Sequence, residues 1–213
     1  MEGVIAHVRG GTVLNIYDFV DVIEQERGYG WQVKSTKSST PVTWKRAKIP
    51  NSQQLILASR EGTKGLENLG NAIIHFCNQH IRESFALYRL EQLGYSRLIV
   101  YPDRAIVYFE KQLCSKEQPD LFDPNNFSWR WASPKVTTKK EQLPALHGIH
   151  KLTNQKWWAW HGLGENQLHF SGEKNWWPSH NDPHAIRFNL PSAAEKLSIE
   201  EFLEILDRDD FSS

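Results

Sequence analysis

From Thr12 to Ile23 the chain reads TVLNIYDFVDVI, an alternating stretch rich in Val and Ile, and after the polar EQERG it resumes as GYGWQVKST. Both patterns predict strands. Gly28, Gly30 and the polar residues before them supply a turn, so the two are expected to pair antiparallel. STPVTWKRAKIP, punctuated by Pro41 and Pro50, is expected as a loop or short strand. The period changes between Thr63 and about Gln92. Leu66, Leu69, Ile73, Phe76, Cys77 and His80 recur at helical spacing, and Ser84, Leu87 and Tyr88 continue the stripe. Thr63 is the expected N-cap and Gly94 the expected C′ residue. Residues Asn71 to Ile81 should be largely buried, with His75 and His80 as satisfied core histidines. YSRLIVY and RAIVYFE predict a hairpin turning at Pro102-Asp103. Residues 115–156 read as loop-rich, and strand-like stretches return around WWAWHG and NQLHF. Ser198-Ile199-Glu200-Glu201 is a capping box that predicts a short acidic helix.

The 213 residues fit one domain and are enough to bury a core without disulfides. At 39% hydrophobic and 12% aromatic, the composition excludes a disordered chain. No apolar run approaches the roughly 18 residues of a spanning helix, so no membrane segment is expected. MEGVIAHVRGG lacks the basic and apolar regions of a secretory signal, and Cys77 and Cys114 lack a partner motif. A reduced, cytoplasmic protein is the expectation.

The 25 Lys+Arg balance the 25 Asp+Glu, but not locally. Between Trp31 and Arg60 there are six basic residues and no acid. Between Arg130 and Lys156 there are six against the single Glu141, and Glu195 to Ser213 carries seven acids against two bases. Two basic segments suit a polyanion, since a binding surface responds to the local field.

The strongest chemical constellation is Asp21, Gln32 and Lys34. Period-2 geometry sets Gln32 and Lys34 on one face of their strand, and Asp21 precedes Gln32 across the turn. A carboxylate, an amide oxygen and an ammonium then converge at one sheet edge. Phosphodiester hydrolysis needs such a set: oxygen ligands for a hard cation and a positive charge near the attacking water. On a regular strand Asp18 points to the face opposite Asp21, so Asp21 is the favoured acid and Asp18 the alternative. The basic, hydroxyl-rich stretch that follows offers phosphate contacts through Lys37, Ser38, Thr40, Lys45, Arg46 and Lys48. Lys135, Lys139, Lys140 and Gln142 form a second strip, with Gln142 and Asn166 able to read adenine edges.

The D-x10-QVK pattern, flanked by strands and followed by a long helix, resembles the PD-(D/E)xK nuclease superfamily, and YDFVDVI…GYGWQVKSTKSSTPVTWKR resembles its type II restriction endonucleases. Gln32 stands in the usual acidic slot and no Pro precedes the aspartate. The match covers about Val13 to Leu93. The resemblance implies a restriction-endonuclease-like α/β fold, a mixed sheet flanked by helices. The catalytic core would span about 10–112, and an aromatic-rich C-terminal elaboration from about 113 to 213 would serve DNA recognition or dimerisation. It implies a Mg²⁺-dependent, site-specific cleavage of double-stranded DNA that leaves 5′-phosphate and 3′-hydroxyl ends, carried out by a homodimer. Asp21, the Gln32 oxygen and the Val33 carbonyl would hold the cation, and Lys34 would position and polarise the water.

Seven of the nine tryptophans lie after residue 128 and six of the nine histidines after residue 146. Exposed, they would stack on bases or sugars; paired Trp more often build a core, which is the favoured reading. His147/His150 and His180/His184 have metal-like spacings without a surrounding zinc signature. There is no P-loop, dinucleotide fingerprint or nucleophile elbow. Two rivals remain: a non-catalytic nucleic-acid-binding subunit of a defence complex, and a sugar-binding module.

Overall fold

In a computed structural model of the chain, the described residues are 1–14, 18–133 and 143–189, with the backbone of 136–137 and 140–141. The order of elements is α1 (Glu2–Arg9), β1 (Thr12–Val13), β2 (Val22–Glu24), β3 (Tyr29–Lys37), β4 (Val42–Arg46), α2 (Ser52–Ala58), α3 (Thr63–Tyr88), β5 (Gln92–Val100) and β6 (Ala105–Ser115). Then follow β7 (Phe127–Trp131), β8 (Val136–Thr137), β9 (Lys140–Glu141), β10 (Leu146–His150), β11 (Gln155–Trp160), β12 (Gln167–Phe170), a 3-10 turn (Gly172–Trp176) and β13 (Ile186–Asn189).

The chain is mixed α/β. A six-stranded sheet runs β1-β2-β3-β5-β6-β13, with β3 and β5 parallel and every other pair antiparallel. The parallel pair needs a crossover, and α3 supplies it. A five-stranded antiparallel sheet runs β4-β12-β11-β10-β7. One inward row of the five-stranded sheet is Trp129, Gly148, Trp158, Phe170 and Val42, and the next is Trp131, Leu146, Trp160 and Leu168, ending at Lys45. These side chains join Leu69, Ile73, Cys77 and Ile81 of α3 and Tyr95 and Ile99 of β5 in the main core. α1 covers the far face of the six-stranded sheet, where Ile5 and Ala6 meet Val22, Trp31 and Val33.

The hairpin β5–β6 and strands β11 and β12 follow the sequence pattern. Four expectations are corrected. First, Thr12–Ile23 is not one strand. Thr12 pairs with Ile23 and Val13 with Val22, so the run folds back on itself. No Gly or Pro marks this reversal; it is held by Leu14 N–H donating to the Asp21 carbonyl (2.9 Å) and by side-chain contacts of Asp18 to α3. Second, α3 stops at Tyr88 with Arg89 left-handed at its C-cap (φ 52°), Gly62 rather than Thr63 is the N-cap, and Gly94 lies inside β5. Third, residues 115–156 contain β7 and β10, each only five residues long; β7 pairs with β10 across a long connection that short-range patterning does not reveal, and β10 turns directly into β11. Fourth, His75 is exposed and His80 half-buried, because the buried stripe of α3 passes through Ile74, Cys77, Asn78 and Ile81 instead.

The tryptophans of the C-terminal third are mainly structural. Trp158 and Trp160 are fully buried, and Trp44 at the centre touches Phe19, Phe122, Trp158 and Phe170 edge to face. Gly70 lets α3 approach β7, since a Cβ there would fall 2.1 Å from the Trp129 indole nitrogen. Among the described residues no helix is long and apolar enough to cross a membrane. The expected acidic helix after Ser198 lies outside the described residues.

Candidate functional site

Asp21 sits one residue before β2. The last β2–β3 pair is Val22 with Trp31, and one further step in that register sets Asp21 opposite Gln32. The Asp21 N–H donates to the Trp31 carbonyl at 2.9 Å, and its Oδ2 accepts from the Val33 N–H at 2.7 Å and lies 3.8 Å from Lys34 Nζ. The N–H and C=O of one strand residue point to the same edge, so the Val33 carbonyl also faces the side of Asp21. Gln32 and Lys34, two apart on β3, share a face. Asp21, Gln32, Val33 and Lys34 are thus brought together.

Burial pushes the Asp21 carboxyl above its ordinary 3.8, opposed by the Lys34 ammonium and the Val33 N–H. Burial also pulls Lys34 below its ordinary 10.5, opposed by Asp21. Glu2, in the first turn of α1, adds negative field at both groups. Nothing in the sequence pointed to Glu2, because only the docking of α1 on Val22, Trp31 and Val33 brings it near.

Gln32 is 1% exposed. Its Nε2 donates to the Trp44 carbonyl at 3.2 Å, and its Oε1 is buried without a partner among the described residues. A buried acceptor left unmade costs about 1–3 kcal/mol. The donation to Trp44 fixes which end of the amide is oxygen. That orphaned oxygen, the Asp21 carboxylate and the Val33 carbonyl are all oxygen donors, the kind a hard divalent cation takes. The set carries a single formal negative charge. Among the described residues no three His, Cys, Asp or Glu side chains are grouped to hold a metal ion.

Asp18 does not join this group. It lies in the irregular stretch before β2 and turns to α3, accepting from Tyr88 Oη (2.8 Å) and Ser84 Oγ (3.4 Å), with Lys45 Nζ at 3.9 Å. Lys45, expected as a phosphate contact on the basic stretch, is instead withdrawn from solvent: its side chain is only 7% exposed. The cause is a bulge in β4. His169 pairs with Thr43 and Leu168 with Lys45, leaving Trp44 as the extra residue, so two consecutive side chains turn inward. Burial lowers the Lys45 pKa, and Asp18 opposes the shift; Lys45 in turn contributes to the field at Asp21. Cys77 lies near Lys45, but burial pushes its thiol up to about 12, so it is not a thiolate nucleophile. Asp18, Lys45, His80 and Glu83 line an open cleft.

The remaining sequence candidates lie apart. Lys37 points to the β3 face opposite Lys34, while Ser38 and Thr40 occupy the turn that follows. Arg46 and Lys48 are exposed. Asn166 is left-handed (φ 57°) in the β11–β12 turn, where its carbonyl accepts from Ala47 N–H. Lys135, Lys139 and Gln142 lie outside the described residues, and of Lys140 only the backbone, in β9, is described. His150 stacks on Trp157 with centroids 3.9 Å apart.

Beside Lys34 in the β3–β5 register stands Arg97, fully buried. It holds Glu173 through Nε (3.0 Å) and Nη2 (3.2 Å) and donates to Thr36 Oγ1 at 2.9 Å. Trp177 Nε1 also donates to Glu173, at 2.9 Å. This network clamps the turn after β12 onto the strand pair that carries the site, and sequence spacing gave no sign of it.

No family model, curated protein or solved structure matches the chain.

Proposed function

We propose that the protein is a divalent-cation-dependent endonuclease acting on double-stranded DNA, built on a restriction-endonuclease-like core. The observation that carries this reading is Asp21 beside Val33 and Lys34 where β2 ends against β3, with the orphaned Gln32 oxygen on the same strand. The order α1-β1-β2-β3-β4-α2-α3-β5, with β4 leaving for the second sheet and β3 and β5 parallel, is compatible with that core. Asp21, Gln32 and the Val33 carbonyl would hold Mg²⁺, which when bound supplies charge stabilisation for the phosphoryl group. Lys34 orients the attacking water and neutralises charge on the phosphate as it becomes five-coordinate. Water oxygen bonds to phosphorus, the bond to the 3′ oxygen breaks, and that oxygen takes up a proton. The products carry 5′-phosphate and 3′-hydroxyl ends. A homodimer would place one such site on each strand of a palindrome.

The test is digestion of a large, fully sequenced, unmethylated DNA by purified protein, with Mg²⁺ and with EDTA. Discrete Mg²⁺-dependent fragments are expected. Lys34→Ala and Asp21→Asn should each lower the rate by about 10²–10³-fold while DNA binding is retained. Intact DNA at high enzyme with either Mg²⁺ or Mn²⁺ refutes the enzyme and leaves a binding protein.

A further inference from the structure

The outward face of the five-stranded sheet has a charge pattern that the candidate site does not use. Arg130, His147, Ala159, His169 and Thr43 oppose one another in a single cross-strand row that traverses all five strands. Ser128, Ile149 and Lys156 form a parallel row on the same face. None of the five strands contains an Asp or Glu. Glu165, in the β11–β12 turn beside them, accepts from Gln167 Nε2 at 2.7 Å. Arg130, Lys156, Ser128 and Thr43 are exposed. Burial depresses both His161 and His169, and the Lys156 ammonium adds to the shift in each, so its positive field reaches both imidazoles. A groove of about 360 Å³ between Leu143 and His169 opens beside the histidines.

An antiparallel sheet with one face in a core normally shows water a mixture of both charge signs. A face with cations, imidazoles and hydroxyls and no carboxylate on its strands suits a polyanion. Its position narrows the partner. Thr43, at the end of the outward row, is followed by Trp44, whose carbonyl holds Gln32, and by Lys45, which turns into the cleft. The face and the candidate site therefore meet along β4, an edge strand.

We infer that the outward face of the five-stranded sheet is a DNA-backbone contact surface, in which Arg130 and Lys156 pair with phosphates farther along the duplex from the ones at the Asp21–Lys34 site. This inference rests on the reading above for its partner, DNA, and not for its chemistry.

The test is anisotropy of a short fluorescent duplex in EDTA over a range of salt, with the cutting assay run separately in Mg²⁺. The double variant Arg130→Glu/Lys156→Glu should bind at least about tenfold more weakly, and the slope of log affinity against log salt should fall by about two. The conservative pair Arg130→Lys/Lys156→Arg should keep both within about twofold of the parent. Ser128→Glu, which adds a negative charge to the same face without removing a side-chain contact, should also weaken binding and guards against misfolding of the double variant. Unchanged affinity and slope in the double variant and in Ser128→Glu overturn the inference, even where cutting is intact. Binding that follows the predicted slopes in a protein that never cuts upholds the surface and refutes the hydrolytic reading alone.

Discussion

Replacing Glu173 by Gln should destabilise the fold by about 3–5 kcal/mol, the cost of breaking a buried ion pair from one side. Arg97 and Glu173 are both 0% exposed at their side chains, with bidentate contacts of 3.0 and 3.2 Å. A guanidinium cannot shed its proton, so in the variant it stays charged in a dry core with only neutral partners: the remaining amide oxygen, Thr36 Oγ1 and the Leu98 carbonyl. Gln is nearly isosteric and still accepts from Trp177, so the loss isolates the charge term from cavity formation. In a chain of this size the change corresponds to a melting temperature lower by about 6–20 °C. Urea unfolding followed by tryptophan fluorescence, with the midpoint and slope fitted together, measures it. Arg97→Met/Glu173→Leu removes both charges and should recover most of the loss, because a buried pair is worth little against a packed apolar replacement. A single variant within about 1 kcal/mol of the parent, or a double variant no better than the single, refutes the reasoning.

Two other outcomes follow from the site. Cleavage should have a bell-shaped pH profile. It rises as Asp21 loses its proton, at a pH above its ordinary 3.8, and falls as Lys34 loses its own, at a pH below its ordinary 10.5. Lys34→Arg should keep the acid limb and lose the alkaline one, since arginine stays protonated, and an unmoved alkaline limb excludes Lys34 as its source. Lys45→Met/Asp18→Asn, which removes both charges of the pair, should stabilise the fold by about 1–2 kcal/mol while slowing cleavage. Lys45 has a lowered folded pKa, so the folded state binds fewer protons than the unfolded chain. The parent's stability therefore rises with pH toward 10.5 and the variant's does not, as melting curves across that range will show. A variant that melts lower contradicts this.

What sequence pattern conveys here is local. The span of α3, the β5–β6 hairpin and the shared face of Gln32 and Lys34 all follow from periodicity over a few residues. What it misses is set by tertiary contact. Asp18 and Asp21 cannot be separated by strand alternation, because the segment is not a strand; Ser84 and Tyr88 of α3 draw Asp18 away. Lys45 looks like one more surface cation in KSSTPVTWKRAK until the β4 bulge is known, and a bulge has no sequence mark in that stretch. Glu2 and Glu173 stand far in sequence from the groups they influence, and neither belongs to a motif.

Buried charge divides this molecule into two kinds of region. Arg97 and Glu173 satisfy each other with short, bidentate contacts and two further donors, the pattern of a structural clamp. Lys34 and Lys45 are also withdrawn from water, yet their carboxylates lie at 3.8 and 3.9 Å, beyond hydrogen-bond length, and the Gln32 oxygen has no partner among the described residues. Each of these under-satisfied groups lowers stability, and all lie where β3 meets β4 at the margin of the two sheets. The indole N–H groups of Trp44, Trp129, Trp157 and Trp158 also lack partners among the described residues, but the β3–β4 margin combines an orphaned oxygen with two loosely paired ammonium groups, which suits a ligand carrying both signs of charge. The missing partners are a cation for the oxygens of Asp21, Gln32 and Val33 and an anion for the two ammonium groups. A phosphodiester with its divalent counter-ion supplies both at once. Neither a sugar nor an apolar ligand does, and on that ground the nuclease reading stands ahead of the sugar-binding one.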